Sequence, residues 1–247
     1  MFIWLFLIIG FFWVISVFTA EGEYECPSCG NWRSRGHVIS KNTRNCPICG
    51  AVNITPVKKF YYVDDADGRN SLGLKYYKEG NYTKALENFK ASIEHKPNFS
   101  MPYYNMALVY HEQGNNTQAI ESFKKAIELK PDDADYYYNI GVLYRKQGND
   151  TKATESYKKA IELKPDYDSA YNNLALVYKD QGNYTQAIEL YKKAIELKPD
   201  YADYYNNLGN AYSRQGKPEL RTLNYKKAAR LGYDPSHDWL KMYGHDW

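Results

Sequence analysis

The sequence predicts a mainly α-helical protein, in which an α-solenoid of five helix–turn–helix repeats follows a transmembrane helix and a small metal-binding module. Three observations predict this architecture. The first 20 residues carry no charge, all four cysteines lie in one short segment, and glycine and proline recur at a constant interval through the C-terminal two-thirds of the chain. Because each feature is confined to its own part of the chain, we expect separate elements rather than one globular domain.

The uncharged segment, residues 1–20, is long enough to cross a membrane. A helix of that length rises about 30 Å, which matches the hydrocarbon core of a bilayer. A cleaved secretory signal is the alternative, but no Lys or Arg precedes the apolar run, and Phe18 would occupy the −3 position for cleavage after Ala20. The sequence therefore favours a retained anchor.

The charges that flank this segment predict its orientation. No basic residue precedes it, and the nearest basic residues after it are Arg33, Arg35, Lys41 and Arg44. By the positive-inside tendency, we expect a single-pass membrane protein with the bulk of the chain in the cytoplasm. A cleaved leader would instead give a secreted or extracytoplasmic protein. In that case the Asn-x-Ser/Thr sequences would be candidate glycosylation sites: Asn53, Asn81, Asn98, Asn115, Asn149 and Asn183.

The cysteines form two Cys-x-x-Cys pairs, Cys-Pro-Ser-Cys-Gly at 26–30 and Cys-Pro-Ile-Cys-Gly at 46–50. Two such pairs at this spacing present four thiolates to one tetrahedral ion. The segment resembles a zinc ribbon of the Cys-Pro-x-Cys-Gly type, and we assign residues 21–55 to it and 56–65 to a linker. The predicted ligands are Cys26, Cys29, Cys46 and Cys49. Zinc would be structural here because four thiolates fill its coordination sphere, and iron in the same sulfurs is the alternative metal.

The basic residues of this module raise a second function, that of a nucleic-acid-associated regulator. The net charge of the chain is only +3, which does not indicate a nucleic-acid partner by itself. We therefore expect no nucleic-acid binding. A salt-sensitive affinity of residues 21–65 for RNA or DNA would favour this alternative.

The remainder of the chain repeats with a period of 34 residues. The glycines at this interval are Gly80, Gly114, Gly148, Gly182 and Gly216, and the prolines are Pro97, Pro131, Pro165 and Pro199. The predicted repeats are 66–99, 100–133, 134–167, 168–201 and 202–235, followed by a capping helix at 236–247. We expect Ser236 to cap that last helix, and Trp239, Leu240 and Tyr243 to face the last repeat.

One residue pattern recurs in these repeats, and in the fourth it consists of Tyr171, Leu174, Ala175, Tyr178, Ala187, Tyr191, Ala194 and Pro199. The pattern resembles that of the tetratricopeptide repeat family. The resemblance implies pairs of antiparallel helices stacked into a solenoid. Glycine ends each first helix, proline ends each second helix, and we expect these threonines to cap the second helices: Thr83, Thr117, Thr151 and Thr185. The terminal repeats depart from the pattern, with Arg69 and Ser92 in the first and Arg221 in the fifth.

The resemblance also implies that the first helices line a concave groove, which accepts an extended peptide or a helix. The sixth position of repeats two to five is always asparagine: Asn105, Asn139, Asn173 and Asn207. This series resembles the asparagine ladder of some family members, in which each carboxamide donates to and accepts from peptide main chain. The other predicted peptide-binding residues are Tyr104, Tyr138, Asn172, Asn206, Arg145 and Lys179.

No catalytic motif accompanies this groove. His-Glu-x-x-His, Gly-x-Ser-x-Gly, Gly-x-Gly-x-x-Gly and the phosphate-binding loop are absent from the sequence, and the five histidines are scattered. The sequence therefore predicts a non-catalytic protein-interaction scaffold, anchored in a membrane, with no small-molecule substrate.

Overall fold

The computed structural model describes residues 65–244, which fold into helices without a strand. The predicted transmembrane helix, the zinc ribbon with its four cysteines, and nearly all of the linker lie outside the described residues. The helices are α1 (Ala66–Lys78), α2 (Tyr82–His95), α3 (Ser100–Glu112), α4 (Asn116–Leu129), α5 (Ala134–Lys146), α6 (Asp150–Leu163), α7 (Asp168–Asp180), α8 (Tyr184–Leu197), α9 (Ala202–Arg214), α10 (Pro218–Arg230) and α11 (Asp234–Met242). Between residues 65 and 244, no helix combines the length and the hydropathy that crossing a membrane requires.

The chain divides into two compact units, with the boundary between Pro97 and Asn98. The described part of the first unit is the helix pair α1–α2. Phe89 of α2 is completely buried, and its ring lies where a Cβ atom on Gly73 of α1 would come within 2.5 Å. Ser92, a departure from the repeat pattern, donates a hydrogen bond from Oγ to the backbone oxygen of Ala66 at 2.5 Å. The hydroxyl of this first-repeat serine is therefore satisfied within its own repeat.

The second unit contains the other four repeats and the final helix. Each helix contacts the next along the chain, from α3 to α11, as the predicted solenoid requires. Its larger core cluster includes Phe123, Leu143, Tyr157 and Val177, all almost fully buried. Small residues let the paired helices approach: a Cβ atom on Gly141 of α5 would lie 2.8 Å from the Tyr157 ring of α6. The apolar positions of the repeat pattern therefore form the core, as predicted.

The turn inside each repeat confirms one prediction and corrects another. Gly148 ends α5 with a φ of +73°, a conformation that glycine adopts without strain and other residues disfavour. The cap of the following helix is Asn149, whose Oδ1 accepts a hydrogen bond from the backbone N–H of Lys152 at 3.1 Å. The predicted cap Thr151 lies inside α6, so the threonine prediction was wrong. The same holds at Thr83, Thr117 and Thr185, since the cap positions are Asn81, Asn115 and Asn183.

The last helix, α11, begins at Asp234, two residues before the predicted start. Ser236 therefore lies within the helix and is not its cap, and its Oγ donates to Asn206 Oδ1 at 3.1 Å. Leu240 is completely buried against α10, as expected. Trp239 also packs there, with its ring 4.8 Å from that of Tyr225. Tyr243 is 60% exposed, so it does not face the last repeat as predicted.

Arg221 explains why the last repeat carries a large residue at a position that is alanine in the other four. Its guanidinium lies 4.5 Å from the centre of the Trp239 ring, and Nη1 donates to Ser213 Oγ at 3.4 Å. A cation over an indole face is favourable. The final helix therefore supplies the aromatic surface on which this arginine rests.

Candidate functional site

The asparagines of the sixth repeat position lie on the first helices of repeats two to five, namely α3, α5, α7 and α9. A constant 34-residue period places equivalent residues on equivalent faces of successive helices. We call this surface the asparagine face, defined by Asn139, Asn173 and Asn207 with the side chains that they contact. Asn105 is only 4% exposed, whereas the other three are half-buried. Three rungs of the predicted ladder are therefore accessible, and the fourth is buried.

Hydrogen bonds connect these asparagines from one repeat to the next. Asn139 Nδ2 donates to the Tyr104 hydroxyl at 3.2 Å, and Asn173 Nδ2 donates to the Tyr138 hydroxyl at 3.0 Å. In the last repeat, Asn207 Nδ2 donates to Asn172 Oδ1 at 3.0 Å. Each of these three sixth-position amides thus bonds to the fifth-position side chain of the preceding repeat. The sequence placed these two sets side by side but did not predict that they pair.

This pairing determines what the amides offer to a ligand. Asn139 Nδ2 also donates to the backbone oxygen of Asp135 at 2.8 Å, so both of its amide hydrogens are used. Within residues 65–244, the carbonyl oxygens of Asn139 and Asn207 accept no hydrogen bond. A carboxamide oxygen accepts hydrogen bonds from backbone N–H groups. Asn139 therefore presents only an acceptor to a peptide main chain. Asn173 and Asn207 each keep one amide hydrogen, and the Asn173 oxygen also accepts a hydrogen bond from Asn172 Nδ2 at 3.3 Å.

Tyrosine rings form the wall beside the amides. The Tyr104 ring lies 4.9 Å from that of Tyr136, and the Tyr138 ring lies 4.9 Å from that of Tyr167. Burial raises the pKa of Tyr138, so its hydroxyl stays protonated near neutral pH. Tyr167, which the sequence analysis did not select, follows α6 and donates from its hydroxyl to Asp135 Oδ1 at 2.7 Å. The sequence does contain a signal for Tyr167: a tyrosine ends both this repeat and the next one, where it is Tyr201.

The two predicted cations of the groove share one carboxylate. Arg145 Nη2 lies 3.0 Å from Asp180 Oδ2, and Lys179 Nζ lies 3.2 Å from Asp180 Oδ1. Burial acts to raise the pKa of Asp180, but hydrogen bonds from Arg145 and Lys179 outweigh it and lower that pKa below its usual value. The cluster carries one net positive charge rather than two. It would therefore attract an acidic ligand group more weakly than the sequence alone suggested.

Asn206, the last predicted contact, is held by the C-terminal end of the solenoid. Its Nδ2 donates to the Tyr233 hydroxyl at 3.4 Å, and its Oδ1 accepts from Ser236 Oγ at 3.1 Å. Both ends of this amide are thus used in attaching the final helix. The structure places Asn206 at the edge of the asparagine face, in a supporting position.

Comparison with known proteins assigns this architecture to a family. A family model described as TPR repeat matches residues 73–114, 109–148, 143–182 and 176–216, and one described as tetratricopeptide repeat matches residues 202–231. The chain belongs to the tetratricopeptide repeat family. The predicted repeat fold is thereby confirmed.

Solved structures agree with this assignment. The crystal structure of the protein MamA is 27% identical with a TM-score of 0.62, over 74% of this chain and 97% of that one. A MamA fragment from Desulfovibrio magneticus RS-1 is 23% identical with a TM-score of 0.63, over 67% of this chain and 94% of that one. YrrB, described as a TPR protein with an unusual peptide-binding site, is 20% identical with a TM-score of 0.60, over 70% of this chain and 89% of that one. The last two establish likeness of fold alone. No curated protein matches the chain at a significant level.

Proposed function

We propose that the chain is a membrane-anchored, non-catalytic scaffold that binds an extended peptide of a protein partner along the asparagine face. The observation that carries the proposal is the series of three accessible carboxamides, one repeat apart, each held by a hydrogen bond from its Nδ2 to a side chain of the preceding repeat. Fixed carboxamides of this kind pair with the main chain of a peptide regardless of its sequence. The peptide-binding description of YrrB, a protein of the same fold, supports the same use.

Tyrosine supplies the remaining contact area in this proposal. Tyr104 and Tyr138 are held by contacts with neighbouring tyrosine rings and by their hydrogen bonds to the asparagines. Rigid tyrosines give large amphipathic contact area at a low cost in entropy. Sequence selectivity would come from the tyrosine wall, while the amides hold the main chain.

A cross-linking pull-down from cells tests this proposal with the full chain. We expect the double variant Asn139→Ala plus Asn173→Ala to recover the partner much less, because two lost main-chain hydrogen bonds weaken binding by about tenfold or more. Asn183→Ala is the surface control, since Asn183 lies in an exposed turn and makes no side-chain cap bond.

Tyr138→Phe separates binding from stability. It removes the acceptor of the Asn173 bond but leaves both amides and the ring in place. We expect it to lower stability, measured by thermal unfolding, and to reduce partner recovery less than the double asparagine variant does, because both amides remain. Unchanged partner recovery by the double asparagine variant would refute the asparagine face as the binding site.

The N-terminal part of the proposal concerns the anchor and the metal. In it, residues 1–20 hold the chain in the membrane with its bulk in the cytoplasm, and zinc is bound by Cys26, Cys29, Cys46 and Cys49. The uncharged stretch, the distribution of basic residues and the cysteine spacing support this. Metal analysis of the purified full chain should find zinc that is lost in Cys26→Ser plus Cys46→Ser. A topology reporter fused after Trp247 should report the cytoplasm, and an extracytoplasmic signal would overturn the orientation.

A further inference from the structure

The outer surface of α10 differs from that of the other second helices at several positions, three of which change its apolar surface and its positive charge. One position is glutamate in each of the first four repeats and leucine in the fifth: Glu87, Glu121, Glu155, Glu189 and then Leu223. Another changes from glutamate to arginine: Glu94, Glu128, Glu162, Glu196 and then Arg230. A third, lysine or glutamine elsewhere, is Leu220. At these three positions the last repeat has lost two carboxylates and gained two apolar side chains and a cation, while Glu219 replaces a threonine near the start of the helix.

These changes expose apolar surface beside positive charge. Leu223 is 62% exposed and Leu220 is 37% exposed. Single exposed apolar residues are ordinary. Two on one face of a helix, at positions that are polar in every other repeat of the chain, indicate a surface that a ligand covers.

The exposed leucine lines a pocket of about 290 Å³, whose other lining residues are Tyr205, Asn224, Lys226, Lys227 and Arg230. The Tyr205 hydroxyl donates to the backbone oxygen of Pro199 at 3.0 Å, and Lys227 Nζ lies 5.8 Å from the centre of its ring. The pocket therefore has a fixed aromatic wall. Tyr205 precedes Asn207 by two residues, which places their side chains about 200° apart around α9. The pocket and the asparagine face lie on opposite sides of that helix.

One cation of this surface, Lys227, lacks the ion pair that its equivalents in repeats two to four have. In the fourth repeat, Lys193 Nζ lies 2.9 Å from Glu196, and the second and third repeats contain the same pair. In the fifth repeat the equivalent of Lys193 is Lys227, and Arg230 replaces the glutamate. In the part of the chain that the structure describes, Lys226, Lys227 and Arg230 form no ion pair.

We propose that this surface, the α10 patch formed by Leu220, Leu223, Lys226, Lys227 and Arg230, binds an acidic peptide segment of a protein partner. An apolar side chain of the peptide fills the pocket against Leu223 and Tyr205, and its carboxylates face the three cations. Charge complementarity selects this occupant, because a symmetric dimer formed through this patch would oppose cations with cations. Concavity favours a peptide over a lipid surface, since a flat bilayer does not fill a pocket. This second site is separate from the asparagine face and does not depend on it.

The test selects peptides from a phage-displayed library of random dodecapeptides, with the full chain in a nonionic detergent as the bait. The patch variant Leu220→Gln plus Leu223→Glu plus Arg230→Glu carries the residues that the fourth repeat has at these positions, namely Gln186, Glu189 and Glu196. It also restores the lysine–glutamate pair, so we expect normal folding, checked by thermal unfolding. The matched control is Asn139→Ala plus Asn173→Ala.

We expect the wild type and the control to enrich peptides with clustered Asp or Glu beside an apolar residue, and the patch variant not to enrich them. A fluorescein-labelled copy of the enriched peptide should bind the patch variant at least about tenfold more weakly than the wild type. Its affinity for the wild type should fall as salt is added. A peptide that binds the asparagine control more weakly, and the patch variant as tightly as the wild type, is bound by the asparagine face. Such a peptide tests the proposed function and not the α10 patch.

Three outcomes would overturn the α10 patch as a peptide site. The first is selection in which the wild type and the patch variant enrich the same sequences, or in which no acidic apolar peptide appears. The second is hydrogen-exchange protection of residues 218–230 in nanodiscs of anionic but not zwitterionic lipid, which would assign the patch to the membrane. The third is a dimer of the wild type that the patch variant abolishes, which would assign it to a second copy of this chain.

Discussion

Tyr191 is completely buried, and its hydroxyl oxygen has no hydrogen-bond partner among the described residues. The equivalent residue is Phe89 in the first repeat and Phe123 in the second, so the position accepts a phenyl ring. A buried hydroxyl without a partner costs roughly 1–3 kcal/mol. We therefore expect Tyr191→Phe to raise the free energy of unfolding by about 1 kcal/mol, measured by urea denaturation.

Tyr225 provides the matched comparison at the same position of the last repeat. Its hydroxyl donates to Asn210 Oδ1 at 2.7 Å, so Tyr225→Phe should lower the free energy of unfolding by about 1 kcal/mol. If both variants changed the free energy of unfolding in the same direction, the description of the Tyr191 hydroxyl as unpaired and the Tyr225 hydroxyl as paired would be wrong.

The pH dependence of Tyr191 gives a second readout. Burial raises its pKa above the ordinary value of 10.0, because the charged phenolate is disfavoured away from water. A group whose pKa is raised on folding stabilises fully below its unfolded pKa and loses that contribution as the pH rises above it. The wild type should therefore lose stability above about pH 10, and Tyr191→Phe should lose less.

At the scale of single residues, the sequence predicted which asparagines share one face but not the hydrogen bonds that they form. The period of the repeat is enough to align Asn139 and Asn173. Their bonds to Tyr104 and Tyr138 join residues 35 positions apart, and such bonds depend on how successive repeats stack. The pairing of Arg145 with Asp180 has the same origin. A sequence pattern gives positions along helices, whereas these contacts require distances between helices.

At the scale of the helix, the turn sequence explains why the threonine caps were mispredicted. Asparagine and threonine both cap helices well, so composition did not decide between them. The left-handed glycine determines which residue is the cap, because the residue directly after this glycine is the last one before the helix. Its side chain then reaches the free N–H three residues later, as Asn149 does with Lys152.

Two of these asparagine caps lack that bond, which allows a matched test. Asn149 accepts from Lys152, whereas Asn183 makes no side-chain cap bond. We expect Asn149→Ala to lower the free energy of unfolding by about 1 kcal/mol, and Asn183→Ala to change it by only a few tenths of a kcal/mol. Urea denaturation of both variants measures the difference. Equal losses would show that backbone conformation, rather than the cap bond, sets the preference for asparagine.

At the scale of the whole molecule, the periodic sequence predicts five equivalent repeats, and its spacing continues unbroken past residue 97. The structure nevertheless separates the chain into two compact units there. Nothing in the glycine and proline pattern marks that boundary, because those residues define turns within and after a repeat. Compactness depends instead on side-chain packing between neighbouring repeats, which the pattern does not contain.

Packing between neighbours also determines how the second unit responds to damage at its end. Leu240 of α11 is completely buried against α10, in a cluster with Tyr225 and Ala229. Removing most of a buried leucine costs about 2–5 kcal/mol. Because each repeat of a solenoid contacts only its neighbours, that loss should be local. We expect Leu240→Ala to accelerate amide hydrogen exchange in α9 and α10, and to leave α3 and α4 unchanged.

Met242→Ala is the control for this experiment, since Met242 lies in the same helix and is 77% exposed. It should leave the exchange pattern of the wild type intact. Hydrogen exchange measured for each helix distinguishes unfolding that spreads from repeat to repeat from unfolding of all repeats at once, whereas a bulk unfolding curve does not. A gradient of protection that falls toward α11 would show that stability passes from repeat to repeat. Equal acceleration from α3 to α10 would instead mean that residues 98–244 open as a single unit, and the nearest-neighbour description would then be wrong.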